Sequence, residues 1–247
     1  MNKITFVTYA CFLMLISCDK GDLSEQEIGK LEIVFKARFG TEPLVYGNQY
    51  NYFDEGSILF SKTDFFYSYL KLLGPGDSVL VDDVNYIALM NHHTSSALAE
   101  KGLSVIYDNI PVGNYDALEF NMGLSHDQNL SKPSDYPLGH PMGDGSRYHP
   151  AFNSFIFNKT EGLFKNTSNY FFDYHPGFDN SLRKLNFIHP ITIEKNQKTQ
   201  IIIQIDYKRM FQNQGVAVDI VANPQIYYFS EFMIAFVNQF QHAVTIL

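Results

Sequence analysis

The stretch 136-YPLGHPMGDGSRYHPAFNSFIFNKTEG-162 contains a loop segment followed by a strand segment, the two kinds of segment that alternate along the chain. Its first part is interrupted by Pro and Gly and carries His140 and His149, a composition that predicts a long loop. Its second part, residues 155–157, is aromatic and β-branched, which is typical of a strand. Because binding residues concentrate in long loops on rigid sheets, this loop is the first candidate for a functional site.

Strand patterns recur along most of the chain. In residues 31–39, apolar and polar side chains alternate with a period of two, as expected of a half-buried strand. The 22 Phe and 16 Tyr residues also favour strands, and the chain contains no Trp. Further strands are predicted from residue 58 and at 65–73, 78–90, 103–110, 115–124, 155–162, 169–175, 183–188 and 199–206. The pattern predicts an all-β fold, an antiparallel β-sandwich in a single domain.

One helix is predicted near the C-terminus. Asn223-Pro224 offers an N-cap followed by Pro at the first helical position. Apolar side chains then recur at helical spacing between Phe229 and Phe240. We expect this helix to pack on the edge of the sandwich, before a last short strand at residues 243–246. A short helical turn is also expected at residues 207–212.

The N-terminal residues predict a lipoprotein. Residues 4–16 form an apolar run that is too short to span a bilayer but long enough for a signal peptide. The segment 15-LISC-18 resembles a lipobox, which predicts cleavage before Cys18 and acylation of that residue; an ordinary secretory signal is the alternative. The predicted organisation is a signal peptide at 1–17, an acidic tether at 18–29 and one domain at 30–247. Lipid on Cys18 predicts a bacterial outer-membrane protein, on the periplasmic face or the cell surface.

Cysteine content and charge restrict the chemistry. Cys11 lies in the predicted signal peptide and Cys18 is the predicted lipid attachment site, so no thiol is left for the folded domain. This excludes disulfides, thiolate zinc sites, blue-copper sites and cysteine catalysis. The formal net charge of −8 argues against nucleic-acid binding and is compatible with bound cations.

Four histidines within residues 126–175 are the candidate metal ligands. Each falls in a predicted loop or at a strand end: His126, His140, His149 and His175. If these loops gather at one end of the sandwich, the imidazoles converge on a site that suits copper or zinc. Because the spacing contains no HxH or HExxH motif, histidines on the surface or in structural hydrogen bonds are the alternative.

Other residues could complete such a site. Met122 or Met142 could add a thioether, which favours Cu(I), and Asp127 or Asp144 could orient a ring. The pair His92-His93 is instead predicted to be solvated, because adjacent residues on a strand point to opposite faces and do not share a metal.

Several segments, taken in order, resemble the MbnP-like family of secreted bacterial copper-binding proteins. Residues 110-IPVGNYDALEFNMG-123 are similar to its vPaGxYxxixFxiG segment, and 155-FIFNKTEG-162 resembles its GYxFxKxEG strand. The spacing Phe172-x2-His175-x-Gly177 resembles fxxHxG. The opening 35-FKARFGTEPL-44 and the closing Ala235-x2-Asn238 also match, so the resemblance covers the chain from residue 31 to the end.

The resemblance implies a β-sandwich that binds copper, and it carries a ligand role over to His175. It also implies a di-haem peroxidase-type protein or an outer-membrane transporter as partner. The chain departs from the family at 148-YHPAF-152, where tryptophans usually stand and where His149 lies instead. Ser154-Phe155 replaces the usual Gly-Tyr, and Ser125 stands where Asp is expected.

These observations predict a lipid-anchored, non-enzymatic protein of the cell envelope that binds or handles copper. No GxSxG, P-loop or dinucleotide motif is present in the sequence. The alternative is a surface module that binds a glycan or a protein through its aromatic loops without metal. A hydrolase using paired carboxylates such as Asp82-Asp83 is a third class.

Overall fold

Two large β-sheets form most of the computed structural model, which describes residues 26–213 and 215–247. The predicted signal peptide, Cys18 and most of the predicted tether lie outside the described residues and stay predictions. The first strand begins at Ile28, so the last two residues of the predicted tether belong to the folded domain. In the described part of the chain, no helix has the length and apolar character needed to cross a membrane.

The strands and helices are numbered in chain order. The strands are β1 Ile28–Phe39, β2 Glu42–Pro43, β3 Tyr50–Tyr52, β4 Gly56–Leu73, β5 Ser78–Ile87, β6 Leu103–Pro111, β7 Gly113–Met122, β8 Tyr148–His149, β9 Ser154–Phe155, β10 Asn158–Lys165, β11 Asn169–Tyr174, β12 Arg183–Ile193, β13 Lys198–Asp206, β14 Gln212–Asn213, β15 Val216–Ala217, β16 Gln225–Ile226 and β17 Val244–Ile246. The helices are α1 Ser96–Lys101, α2 His126–Asn129, α3 Tyr207–Met210, α4 Glu231–Asn238 and α5 Phe240–Ala243.

The smaller sheet has the strand order β17-β13-β1-β2, with β6 also paired to β1. The larger has the order β12-β7-β4-β10-β11-β16, with β3 and β5 also paired to β4. Phe35 and Ile203 of the smaller sheet and Phe60 and Phe120 of the larger belong to one buried cluster. The alternation of apolar side chains therefore serves a core that both sheets share.

The mostly-β prediction is confirmed, but strand direction differs from the antiparallel prediction. Strand β1 pairs in parallel with β13, with Leu31 opposite Thr199, and β11 pairs in parallel with β16. A period of two places side chains on a face but carries no information on the direction of the neighbouring strand. Residues 58–73, predicted as two strands, form the single long strand β4.

The C-terminal helix is present but begins later than predicted. Ser230, not Asn223, is the N-cap of α4, and its Oγ accepts a hydrogen bond from Met233 N at 3.1 Å. Pro224 instead precedes strand β16. The apolar spacing located the helix correctly, whereas the Asn-Pro pair lies directly before strand β16. The predicted turn after residue 206 is α3, and the predicted last strand is β17.

The loop at residues 136–153 lies against the larger sheet and has its own small core. Met142 packs with Phe66 and Phe155 in a second buried cluster, separate from the main core. Two cationic side chains fasten the loop. Lys159 Nζ donates to Ser146 O at 2.6 Å, and the guanidinium of Arg147 lies 3.9 Å from the ring centre of Tyr86. The loop is therefore held in a defined position on the sheet.

Candidate functional site

His175 lies directly after β11, in a turn that is fixed by its backbone. Its N–H donates to Ile226 O at 2.7 Å, which ties the residue to strand β16. Gly177 forms an isolated bridge with Ile156, and a Cβ on this glycine would lie 2.5 Å from Phe155 O. Only glycine allows the two backbones to approach this closely. The turn is thereby pressed against the end of the 136–162 stretch.

His149 is brought to the same place by a short hairpin. Strand β8 pairs with β9, so that His149 lies opposite Ser154. The connection is a 3₁₀ turn that ends at Asn153, whose φ of 49° is left-handed, a conformation that Asn tolerates better than most residues. The ring centre of His149 lies 4.4 Å from that of Phe152.

His149 and His175 line one small cavity together with Phe152, Phe178 and Tyr227. Its volume of about 10 Å³ is close to the space that one water molecule needs. The Nδ1 atom of His149 is buried and has no hydrogen-bond partner among the described residues. Because an unpaired buried polar atom costs free energy, this nitrogen is suited to a ligand inside the cavity.

The carboxylate of Glu161 lies next to His175, and the ammonium group of Lys62 lies next to that carboxylate. Nε2 of His175 lies 2.9 Å from Glu161 Oε1, which also accepts from Lys62 Nζ at 3.1 Å. The side chain of His175 is only 15% exposed. This burial lowers its pKa, and it outweighs the contact with Glu161, which raises the pKa. Burial raises the pKa of Glu161, but the hydrogen bonds from Lys62 and His175 outweigh it, so that this pKa is lowered. His175 therefore favours the neutral form, which is the form that binds metals.

The other two candidate ligands, His126 and His140, do not line this cavity. His126 begins α2 at the surface and contacts Asp179 Oδ2 through Nδ1 at 2.5 Å. That hydrogen bond raises the pKa of His126. His140 stacks on Tyr136 with ring centres 4.4 Å apart, and its Nδ1 accepts from Met142 N at 3.1 Å. His140 therefore contacts residues close in sequence, whereas His126 contacts Asp179, 53 positions further along the chain.

The predicted helper residues are also corrected. Met122 lies in the main core and Met142 in the second cluster, and neither lines the cavity. Asp144 caps a turn by accepting from Ser146 N at 2.9 Å. The carboxylates that face imidazoles are instead Glu161 and Asp179, and Asp127 shows no such contact in the described structure. Within residues 26–213 and 215–247, no three His, Cys, Asp or Glu side chains are placed to hold a metal.

His93 contradicts the prediction of solvated loop histidines. It is fully buried, with Nδ1 2.5 Å from Leu44 O, and burial lowers its pKa. Its neighbour His92 is half-buried. The backbone carbonyl of Leu44, directly after strand β2, gives His93 a partner that no sequence pattern indicates.

The carboxylates considered for hydrolysis do not form a pair. Asp82 accepts hydrogen bonds from the hydroxyls of Tyr67 and Tyr107, at 2.8 and 3.1 Å. Asp83 instead faces Gln128, whose Nε2 lies 3.4 Å from its carboxylate. The two point to opposite sides of β5, as consecutive strand residues do.

Sequence analysis missed three members of the site: Glu161, Phe178 and Tyr227. Glu161 stands in the TEG segment that supported the family resemblance, so a signal existed for it. Tyr227 follows strand β16, and its ring centre lies 5.3 Å from that of His175. Nothing local to Tyr227 or Phe178 marks them as neighbours of a histidine that is distant in sequence.

Comparison with known proteins gives one family and one related structure. The family model MbnP matches residues 28–227. The structure "MbnP from Methylosinus trichosporium" is similar with a TM-score of 0.56 and 11% sequence identity, over 77% of this chain and 80% of that chain. At this identity the structural likeness speaks for the fold alone. No curated protein matches the chain.

Proposed function

The chain belongs to the MbnP family, and from this premise we propose that it binds copper between His149 and His175 and handles the metal without catalysing a reaction. Two observations on His149 carry the proposal: it lines the same small cavity as His175, and its buried Nδ1 has no hydrogen-bond partner among the described residues. The scaffold that we infer for this site is a β-sandwich of the two large sheets.

The donors of the cavity suit the metal. Neutral imidazole is a good ligand for copper, and the lowered pKa of His175 favours its neutral form. The side chains around the two imidazoles, Phe152, Phe178 and Tyr227, are aromatic and limit access of water. Bound copper would supply a redox-active ion held by nitrogen donors.

Elemental analysis of the purified protein tests copper binding. After incubation with Cu(I) under reducing conditions and desalting, we expect near one equivalent of copper on the wild-type chain. His149→Ala should reduce it to background, because the orphaned nitrogen is removed. His140→Ala is the matched control and should retain the metal, since this ring stacks on Tyr136 outside the cavity. A wild-type protein that carries no copper after desalting contradicts the proposal.

We further propose that the protein is anchored to the outer membrane by lipid on Cys18, on the periplasmic face or the cell surface. The support is the lipobox-like 15-LISC-18 segment. A di-haem peroxidase-type protein or an outer-membrane transporter is the partner class that the resemblance implies. Cys18→Ala should move the protein from the membrane fraction to the soluble fraction, and an unchanged distribution would contradict the anchor.

A second candidate function, glycan binding without metal, is favoured by a neighbouring cleft. This cleft of about 310 Å³ is lined by Phe152 and Phe178 and by five polar residues, Asn129, Asn153, Ser154, Asp179 and Asn180. Aromatic faces beside carboxamides suit sugar rings. Sugar binding that chelators and His149→Ala leave unchanged, and that Asn180→Ala abolishes, would favour this function over copper.

A further inference from the structure

The contact between Glu161 and His175 joins two rigid parts of the larger sheet. Glu161 lies on β10, opposite Lys62 of β4 and Asp173 of β11 in the strand register. His175 follows β11 and is tied to β16 by its own backbone hydrogen bond. The 2.9 Å separation of Nε2 and Oε1 is therefore set by strand pairing rather than by a flexible loop.

This contact determines which nitrogen of His175 carries the proton. A carboxylate only accepts hydrogen bonds, so the proton of the neutral ring lies on Nε2 when Nε2 faces Glu161. The lone pair is then on Nδ1. His175 lines two spaces: an open cleft with Glu161 and Asp173, and the small cavity with His149. Nε2 of His175 faces Glu161, which lines the open cleft.

We propose that Glu161 is a positioning residue that fixes His175 as the Nε2–H tautomer and presents its Nδ1 lone pair to the cavity, and that Lys62 holds Glu161 in place. This inference rests on the proposed copper site. Histidines that bind metals commonly donate their other ring N–H to a carboxylate, which fixes the orientation of the ring. Nδ1 of His149 is also without a hydrogen-bond partner, so in this arrangement each imidazole has its Nδ1 atom available to a metal.

The geometry distinguishes this role from a simple ion pair. Oε1 of Glu161 receives both Lys62 Nζ and His175 Nε2, at 3.1 and 2.9 Å. Lys62 by itself neutralises the carboxylate, so His175 is not needed as a counter-charge. The imidazole gains a fixed orientation from the contact, and orientation is what a metal ligand requires.

The tautomer is measurable without copper. In ¹⁵N-histidine-labelled apo protein at about pH 8, above the ordinary His pKa, we expect His175 to show a slowly exchanging proton on Nε2 and an unprotonated Nδ1. Glu161→Leu gives a side chain of similar size that has no hydrogen-bond acceptor. It should accelerate proton exchange and populate the second tautomer. Asp173→Asn, the matched control in the same cleft, should leave the ring signals unchanged.

Cu(I), which is diamagnetic, extends the test to the loaded protein. Loading should shift the Nδ1 resonance of His175 while Nε2 keeps its proton. Glu161→Leu should weaken copper binding about 10–100-fold, the usual effect of losing such a partner, and Asp173→Asn should not weaken it.

The outcomes separate the two proposals. A proton on Nδ1 of His175 in the apo protein overturns the positioning role, and so do unchanged His175 ring signals in Glu161→Leu. A wild-type protein that binds no copper but shows the Nε2–H tautomer overturns the proposed function and leaves the tautomer assignment standing. Thermal unfolding of each variant confirms that the protein compared is folded.

Discussion

His175 and His126 each face one carboxylate at hydrogen-bond distance, yet their environments differ. The His175–Glu161 contact lies in the larger sheet, where the imidazole side chain is 15% exposed. The His126–Asp179 contact lies at the start of α2, where the imidazole side chain is 65% exposed. Burial lowers the pKa of the first histidine, and the hydrogen bond that His126 donates to Asp179 raises the pKa of the second.

The difference shows that a His–carboxylate pair does not by itself define a metal ligand. In water, the carboxylate stabilises the charged imidazolium and gives a surface ion pair. In the sheet, the cost of desolvating a charge outweighs that attraction and favours the neutral ring with a free lone pair. Of these two histidines, His175 is therefore the one that combines a fixed orientation with the neutral, ligating form.

The largest expected difference between the two regions is in copper retention. His175→Ala should lower bound copper from near one equivalent to background, whereas His126→Ala should leave it unchanged. The reason is that only His175 lines the cavity with His149. Elemental analysis of both variants after the same loading and desalting measures the difference. Equal loss in the two variants would break the comparison.

A smaller effect is expected on stability, from the tight packing of the turn that follows His175. Gly177→Ala places a Cβ 2.5 Å from Phe155 O, which forces the backbone to move. We expect a loss of about 1–3 kcal/mol in the free energy of unfolding, as for overpacked interiors. Gly145→Ala is the control, because no atom lies within 4 Å of the added Cβ. Denaturant unfolding measures the free energy of unfolding of both variants. A loss in Gly145→Ala as large as that in Gly177→Ala would contradict this explanation.

The two pKa values should lie on opposite sides of the ordinary value of about 6.5. NMR titration of the apo protein should place His175 below it and His126 above it. The consequences for stability also have opposite signs. The folded state loses stability at His175 as the pH falls below about 6.5 towards its lowered pKa, because the unfolded chain binds the proton more tightly. The stabilisation at His126 is complete below about 6.5 and is lost as the pH rises through its raised pKa.

The smallest effect is expected from salt. Asp179 faces His126 at an exposed position, so raising the ionic strength should move the pKa of His126 back towards its ordinary value. The pKa of His175 should respond less, since its largest cause is burial. The same NMR titration at low and high salt measures both shifts. An equal response of the two rings would show that burial does not separate them.

The sequence predicted the parts of the fold that depend on local pattern. Alternation in residues 31–39 located β1, and helical spacing after Phe229 located α4. The parallel pairing of β1 with β13 was outside its reach, because both strands show the same alternation in either direction. The same limit applied to His93, whose partner is the carbonyl of Leu44.

For the site, the sequence by itself determined the chemistry that is available: imidazoles without thiols, a fxxHxG-like motif at His175, and His149 in place of the family's tryptophans. The tertiary structure alone decided which imidazoles meet. It placed His149 and His175 at one cavity, His126 against Asp179 and His140 against Tyr136. The physical reason is that local pattern fixes the face of each residue, whereas strand pairing and burial fix its neighbours and its protonation.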